Sequence, residues 1–345
     1  MALKQKLLLW AGLLISALFL WIALRDIAFD QFVSALRRVD IPPLIGGFAT
    51  LLMIYLVRTV RWRAIIRAKA DIGFWQTFSI LMIGFFGNNV LPARAGEILR
   101  AILLRRRIQV RRSFALGTIV VERVNDVAAL VGLLLLALYR IPSENLPAVT
   151  GDVRTIALIV LVVFAIGLAV LLWGRVWAVN LLRRTFALLL PDKLAETLAS
   201  KLDHFSQGLE VLRNPRKFAL VLGLSILDWS AMALVFYCVS RAFHFDLSPS
   251  AVGLTVALVN LGMIVPSSPG YVGTYEFFMI TSLAAFGIAS GEALAFGLVV
   301  RSLWYLFEVV VGFSCLWYSH LPVRQLFTMS RAADEALPDD TTKPS

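Results

Sequence analysis

Charged side chains stand inside apolar stretches of this chain, at spacings that a helix would bring together. Arg94 and Glu97 are three residues apart around Gly96, and Arg100 follows three later, so Glu97 and Arg100 share a face of any helix there. Glu122, Arg123 and Asp126 fall well inside an apolar run, with Glu122 and Asp126 at i, i+4. Glu276 follows a Pro/Gly break, and Arg301 and Glu308 lie seven apart on one helical face with Tyr305 between them. Asp228 stands alone in its run. A charge at the centre of a bilayer costs roughly 2.5–3.5 kcal/mol on insertion scales, so these groups are not expected to face lipid.

Two readings of the set are open. In the first, a polar cavity holds an anionic headgroup: Arg94, Arg123 and Arg301 attract it through guanidinium groups suited to bidentate phosphate contact. Glu97, Glu122, Asp126, Glu276 and Glu308 then neutralise and orient the arginines, or some of them carry protons. In the second, the same residues form Arg–Glu pairs that only hold helices together, an expensive way to pack them. Neither reading involves a metal or a cofactor. Cys238 and Cys315 sit in apolar runs without metal-site spacing, and His204, His244 and His320 share no motif. There is no G-x-x-x-x-G-K-[ST] phosphate loop, no H-E-x-x-H and no G-x-S-x-G, so no ATPase or hydrolase site is expected.

The elements that would carry these groups are apolar to a degree that excludes a water-soluble globule. The 345 residues are 59% hydrophobic and 16% charged, with mean hydropathy +0.80. The formal net charge is +11, and the basic residues flank apolar runs, which points to anionic headgroups rather than to nucleic acid. Apolar runs cover 7–24, 41–62, 76–104, 114–138, 154–174, 218–240, 251–289 and 293–318. The first is read as an uncleaved span, because bulky Leu20, Trp21 and Ile22 stand where a small-x-small cleavage site would be. Lys4 and Lys6 precede it, Arg61, Arg63, Arg67 and Lys69 follow the second run, Arg105–Arg112 follow the third, and Arg324 follows the last. That asymmetry predicts a multi-pass protein of the cytoplasmic membrane with both termini in the cytoplasm.

Two of the runs are interrupted. The first break reads Asn88-Asn89-Val90-Leu91-Pro92-Ala93-Arg94-Ala95-Gly96-Glu97, and the second contains Pro266, Pro269, Gly270 and Gly273 ahead of Glu276. They recur at a common offset: Pro92 to Pro266 is 174 residues, Glu97 to Glu276 is 179, Arg123 to Arg301 is 178 and Arg61 to Arg241 is 180. An amphipathic stretch precedes each unit, with Phe29, Phe32, Val33 and Leu36 in the first and Phe205, Gly208, Leu209 and Leu212 in the second. By the charge count one unit starts outside and the other inside. The expectation is an all-α polytopic membrane protein of about six full spans plus two broken or re-entrant hairpins in an inverted-topology repeat. Its parts are a first transmembrane helix at 1–27, a first unit at 28–174 with the broken hairpin 76–104, and a cytoplasmic loop with an amphipathic helix at 175–217. A second unit at 218–320 carries the broken hairpin 251–289, and a disordered cytoplasmic tail covers 321–345.

On these residues the chain resembles the flippase-like family named for the transmembrane region of lysylphosphatidylglycerol synthase. The matching pieces are Leu91-Pro92-Ala93-Arg94-Ala95-Gly96-Glu97 with Arg100, then Glu122-Arg123 with Asp126, then Pro266-x-x-Pro269-Gly270-x-x-Gly273-x-x-Glu276. Tyr271 departs from the pattern, where a second glycine is expected after Pro-Gly. The resemblance implies a bacterial or archaeal protein that moves a lipid between leaflets. These motif residues together with those read from charge and break place the candidate substrate site at Asn88, Arg94, Glu97, Arg100, Glu122, Arg123, Asp126, Pro269, Gly270, Glu276, Arg301 and Glu308. The implied partner is a phospholipid, a hopanoid or a polyprenyl-phosphate-linked lipid in the bilayer. With no aminoacyl-transfer domain after residue 345, synthesis of the lipid is not expected. Two alternatives stand beside a flippase: a membrane-embedded enzyme such as a glycosyl transferase on a lipid-linked phosphate, and an accessory scaffold of a lipid-synthesis complex.

Overall fold

A computed structural model describes residues 3–25, 27–67, 69–90, 95–141, 162, 214–263, 269–322 and 325–326. Among them every regular element is helical. In chain order these are α1 (Leu3–Leu24), α2 (Phe29–Arg37), α3 (Ile41–Ile66), α4 (Phe74–Val90), α5 (Ala95–Ile108) and α6 (Arg112–Arg140), followed by α7 (Pro215–Ala242), α8 (Pro249–Gly262), α9 (Thr274–Ala284) and α10 (Ser290–Tyr318). The protein is an all-helical polytopic membrane protein. Helices α3, α7 and α10 are long and apolar enough to cross a membrane. Apart from residue 162, the expected run 154–174 lies outside the described residues, as do the second amphipathic stretch and, apart from 321–322 and 325–326, the tail.

The two interrupted runs are each two short helices. At 1.5 Å per residue α4 is about 25 Å long, α5 and α8 about 21 Å and α9 about 16 Å, all short of a hydrocarbon core about 30 Å thick. Helices α3, α6, α7 and α10 reach about 39–43 Å by the same measure. Pro215 stands at the first turn of α7, where its missing N–H costs nothing, and Asn214 caps that helix by accepting from Arg216 N (3.0 Å) and Lys217 N (3.2 Å).

Helices α3 and α7 form the central pair and run antiparallel. The start of α3 meets the end of α7, where Asp40 N donates to Ala242 O at 3.0 Å and Gly47 leaves room for Val235 and Cys238. The end of α3 meets the start of α7, where Arg61 reaches Ser225. Around this pair the packing is reciprocal. Helix α10 lies on α4, with Gly312 against Phe86 and Met82, while α6 lies on α8, with Leu133 and Ala137 against Gly253. Helices α4 and α5 pack on each other and α5 on α6; likewise α8 and α9 pack on each other and α9 on α10. One apolar core gathers Trp229, Phe236, Val256, Tyr275 and Phe296 with Leu51, Ile54 and Leu130, and another gathers Trp62, Leu81, Phe86, Leu99 and Ile102 with Phe307 and Leu316.

The hairpin α4–α5 closes on glycine. A Cβ at Gly96 would collide with the carbonyl oxygen of Gly84 and with the backbone and side chain of Asn88, and one at Gly84 would collide with the Arg100 side chain. In the second hairpin, the break ends in a single 3-10 turn, Pro269–Tyr271, with Gly270 at φ +74° and Gly273 at φ +92°. Both angles are left-handed, which glycine adopts without penalty. The turn packs against α4.

Candidate functional site

The same ion pair occurs twice, each time joining a short helix to the long helix that follows it. Glu97, in the first turn of α5, accepts from Arg123 of α6, whose Nε lies at 3.1 Å. Glu276, in the first turn of α9, accepts from Arg301 of α10. Each carboxylate follows a helix break and faces a helix N-terminus, where the dipole favours an anion. Glu276 also accepts from Gly273 N at 2.7 Å. The pairs differ in access: the Arg123 and Glu97 side chains are 50% and 27% exposed, those of Arg301 and Glu276 only 12% and 6%.

One stripe of α10 joins the two breaks. Arg301, Trp304, Tyr305 and Glu308 stand at i, i+3, i+4 and i+7. Toward the second break, Arg301 Nη2 and Tyr305 Oη both donate to Gly270 O, at 2.7 and 2.9 Å, and the Arg301 guanidinium lies 4.4 Å from the Tyr275 ring centroid. Toward the first break, Glu308 Oε2 accepts from Asn89 Nδ2 at 2.7 Å, and Oε1 accepts from Tyr55 Oη at 2.6 Å and Trp304 Nε1 at 2.7 Å. Asn88, the residue before Asn89, has its Oδ1 buried with no hydrogen-bond partner among the described residues. Tyr55 is near the middle of α3, which sets Glu308 close to the centre of the bundle along its long axis.

A second cluster lies toward the end of α3. Arg61 reaches Asp126 Oδ1 at 2.6 Å, Ser225 Oγ at 2.9 Å, Glu122 Oε1 at 3.3 Å and Asp228 Oδ2 at 3.6 Å. Arg58 Nε donates to Asp228 Oδ1 at 3.0 Å, and Arg100 pairs with Glu122 while its guanidinium stacks 4.2 Å from the Trp62 ring. Trp229 Nε1 donates to Asp126 at 3.2 Å. Arg58, Arg61 and Arg100 thus balance Glu122, Asp126 and Asp228, all six buried, across α3, α5, α6 and α7. The three charges of each sign offset one another, although Arg61 Nε and Arg100 Nε are buried with no hydrogen-bond partner among the described residues. Among the described residues no three His, Cys, Asp or Glu side chains gather as a metal site.

The family description "Lysylphosphatidylglycerol synthase TM region" matches residues 9–312. The chain belongs to this family. Among curated relatives, the glycosyltransferase AglD of Haloferax volcanii is 27% identical over 323 residues, covering 84% of this chain and 51% of AglD. A UPF0104 membrane protein of Methanocaldococcus jannaschii is 23% identical, covering 87% of this chain and 92% of its own length. Another, from Methanothermobacter thermautotrophicus, is 26% identical, covering 87% and 89%. The chain therefore spans about half of AglD and about nine tenths of the UPF0104 proteins.

In this member of the lysylphosphatidylglycerol synthase transmembrane-region family, the expected site residues divide into groups. Asn88, Gly270, Glu276, Arg301 and Glu308 gather at the two breaks, Pro269 opens the 3-10 turn there, and Glu97 and Arg123 form the more open pair. Arg100, Glu122 and Asp126 belong to the buried ionic cluster, and Arg94 lies outside the described residues. Glu97 and Arg100 share a helix yet pair with different partners. Asp228 is not alone but is held by Arg58 and Arg61. Arg61 is not a flanking anchor; it is 2% exposed at the heart of the cluster. Sequence reading missed Tyr55, Arg58 and Trp304. Arg58 alone carried a signal, as a cation inside an apolar run.

Proposed function

We propose that this protein is a lipid flippase or transporter that moves an anionic or lipid-linked substrate between leaflets of the cytoplasmic membrane without covalent chemistry. The observation that carries this reading is the convergence of both helix breaks on the Arg301–Trp304–Tyr305–Glu308 stripe of α10. Broken short helices around a polar centre are the arrangement in which transporters bind cargo. Irregular backbone at that depth needs protein or water around it.

The proposed layout has one leading helix (1–27), two units (28–174 and 218–320) joined by a cytoplasmic segment (175–217), and a cytoplasmic tail (321–345). In each unit α4–α5 or α8–α9 enters and leaves on one side. Support comes from α3 and α7, which correspond under the repeat offset and run antiparallel, so they would cross a bilayer in opposite senses. The pair Glu97–Arg123 and its counterpart Glu276–Arg301 act in turn as headgroup contacts, the arginines offering bidentate donors to a phosphate while its tails remain in lipid.

The test uses proteoliposomes containing fluorescent phosphatidylglycerol, with chemical quenching of the outer leaflet. The wild type should move the probe, whereas Arg123→Ala and Arg301→Ala should lose at least tenfold in rate while still folding. Wild-type rates from both would sink the site assignment. A second reading, glycosyl transfer to a lipid-linked phosphate, is favoured by the name of one relative, AglD. Sugar incorporation into polyprenyl phosphate from a nucleotide-sugar donor would support it over transport.

A further inference from the structure

Glu308, the carboxylate of the stripe, is held by neutral donors alone among the described residues. Its oxygens accept from Tyr55 of α3, Asn89 of α4 and Trp304 of its own helix, and among the described residues no cation lies within ion-pair distance. The charged and titratable groups around it are few. Helix α3 presents Tyr55 and Arg58, with Arg58 turned to Asp228 of α7. Helix α4 has no titratable residue. Helix α10 adds Tyr305 and Arg301, with Tyr271 and Glu276 beyond them and Arg301 committed to Glu276. Helix α2 packs at the far end of α10, against Gly291. The repeat offset puts Glu308 opposite Leu130 or Ala129, so it has no acidic counterpart in the first unit.

We propose that Glu308 is an exchangeable proton site that latches the end of the first hairpin. Burial disfavours the anion and three donors favour it, so the proton held here is set by a balance of opposing effects. Oε1 has two donors and Oε2 has one, from Asn89. A proton delivered from water binds Oε2, converting carboxylate to carboxylic acid. Its new O–H then opposes the Nδ2–H of Asn89, and that hydrogen bond is lost. Asn89 is the second-last residue of α4, directly ahead of the break, so protonation unties the hairpin from α10 and deprotonation reties it. Proton binding is independent of cargo; its coupling to lipid movement rests on the transport reading.

The experiment is infrared difference spectroscopy of the full chain in phosphatidylcholine bilayers across a pH titration. The expected result is a carboxylic-acid C=O band that grows as pH falls and is missing from Glu308→Gln. Tyr55→Phe removes a donor to the anion, so the band's midpoint should move to higher pH by about one unit. A titration with no band dependent on Glu308, or a midpoint unmoved in Tyr55→Phe, overturns the proposal. If Glu308→Gln does not fold, the Tyr55→Phe shift decides alone. In proteoliposomes with fluorescent phosphatidylglycerol, the wild-type rate should vary with pH and the Glu308→Gln rate should not. A pH dependence that survives in Glu308→Gln overturns the coupling. A wild type that moves no lipid but keeps the titrating band sinks the transport reading and leaves the proton site standing.

Discussion

Removing one member of the Arg58–Asp228 pair should cost far more than removing both. The two side chains are buried, and Arg58 touches Asp228 through Nε at 3.0 Å. Arg58→Met alone leaves the Asp228 carboxylate with only the more distant Arg61, and the loss of a buried partner typically costs about 3–5 kcal/mol. Arg58→Met with Asp228→Leu removes both charges and should recover most of that loss, as read from the thermal unfolding midpoint in detergent. The same unfolding assay on Asp71→Asn should show little change, because its pair with Arg67 is solvent-exposed. The Arg67 hydrogen bond holds the Asp71 carboxyl below its usual range, but an exposed pair transmits little of that to the fold. At this scale the sequence disclosed which groups were charged, not who met whom. Arg61 sits near the end of an apolar run, where it reads as a flanking charge, and only the approach of α6 and α7 encloses it.

At the scale of elements, glycine decides whether the first hairpin closes. Gly96→Ala would drive a methyl group into the Gly84 carbonyl oxygen and the Asn88 backbone, neither of which is the free end of a side chain. Overpacking of that kind costs typically about 1–3 kcal/mol, and here it would also splay α4 from α5. Lipid transport should fall with stability in this variant. Gly223→Ala is the control: nothing lies within 4 Å of its added methyl, and in a helix interior alanine is favoured over glycine by roughly 0.5–1 kcal/mol. Thermal unfolding of the two variants should therefore move in opposite directions. The element boundaries were legible because apolar length and Pro/Gly breaks are local: the runs 41–62, 218–240 and 293–318 became α3, α7 and α10, and the stretch 29–36 became α2. The pairing of α10 with α4 and of α6 with α8 was not legible, since it depends on small residues such as Gly312 and Gly253 meeting partners far away in the chain.

At the scale of the whole molecule, the antiparallel central pair fixes which ends share a side. Asp40 N bonds to Ala242 O, and His244 lies 3.4 Å from the Asp40 carboxylate, so the start of α3 and the end of α7 face one compartment. Arg61 meets Ser225, so the loop after α3 and the start of α7 face the other. The basic residues Arg63, Arg67, Arg216 and Lys217 all fall on this second side, which the positive-inside rule predicts to be the cytoplasmic one. Single cysteines placed in a background lacking Cys238 and Cys315 turn this into a measurement. Asp40→Cys and His244→Cys should react with a membrane-impermeant maleimide in intact cells. Asp71→Cys and Arg216→Cys should react only after the membrane is opened. Labelling of all four from outside, or of Asp40→Cys and His244→Cys on different sides, would contradict the inverted arrangement, because two corresponding helices that run antiparallel must expose their ends in this order.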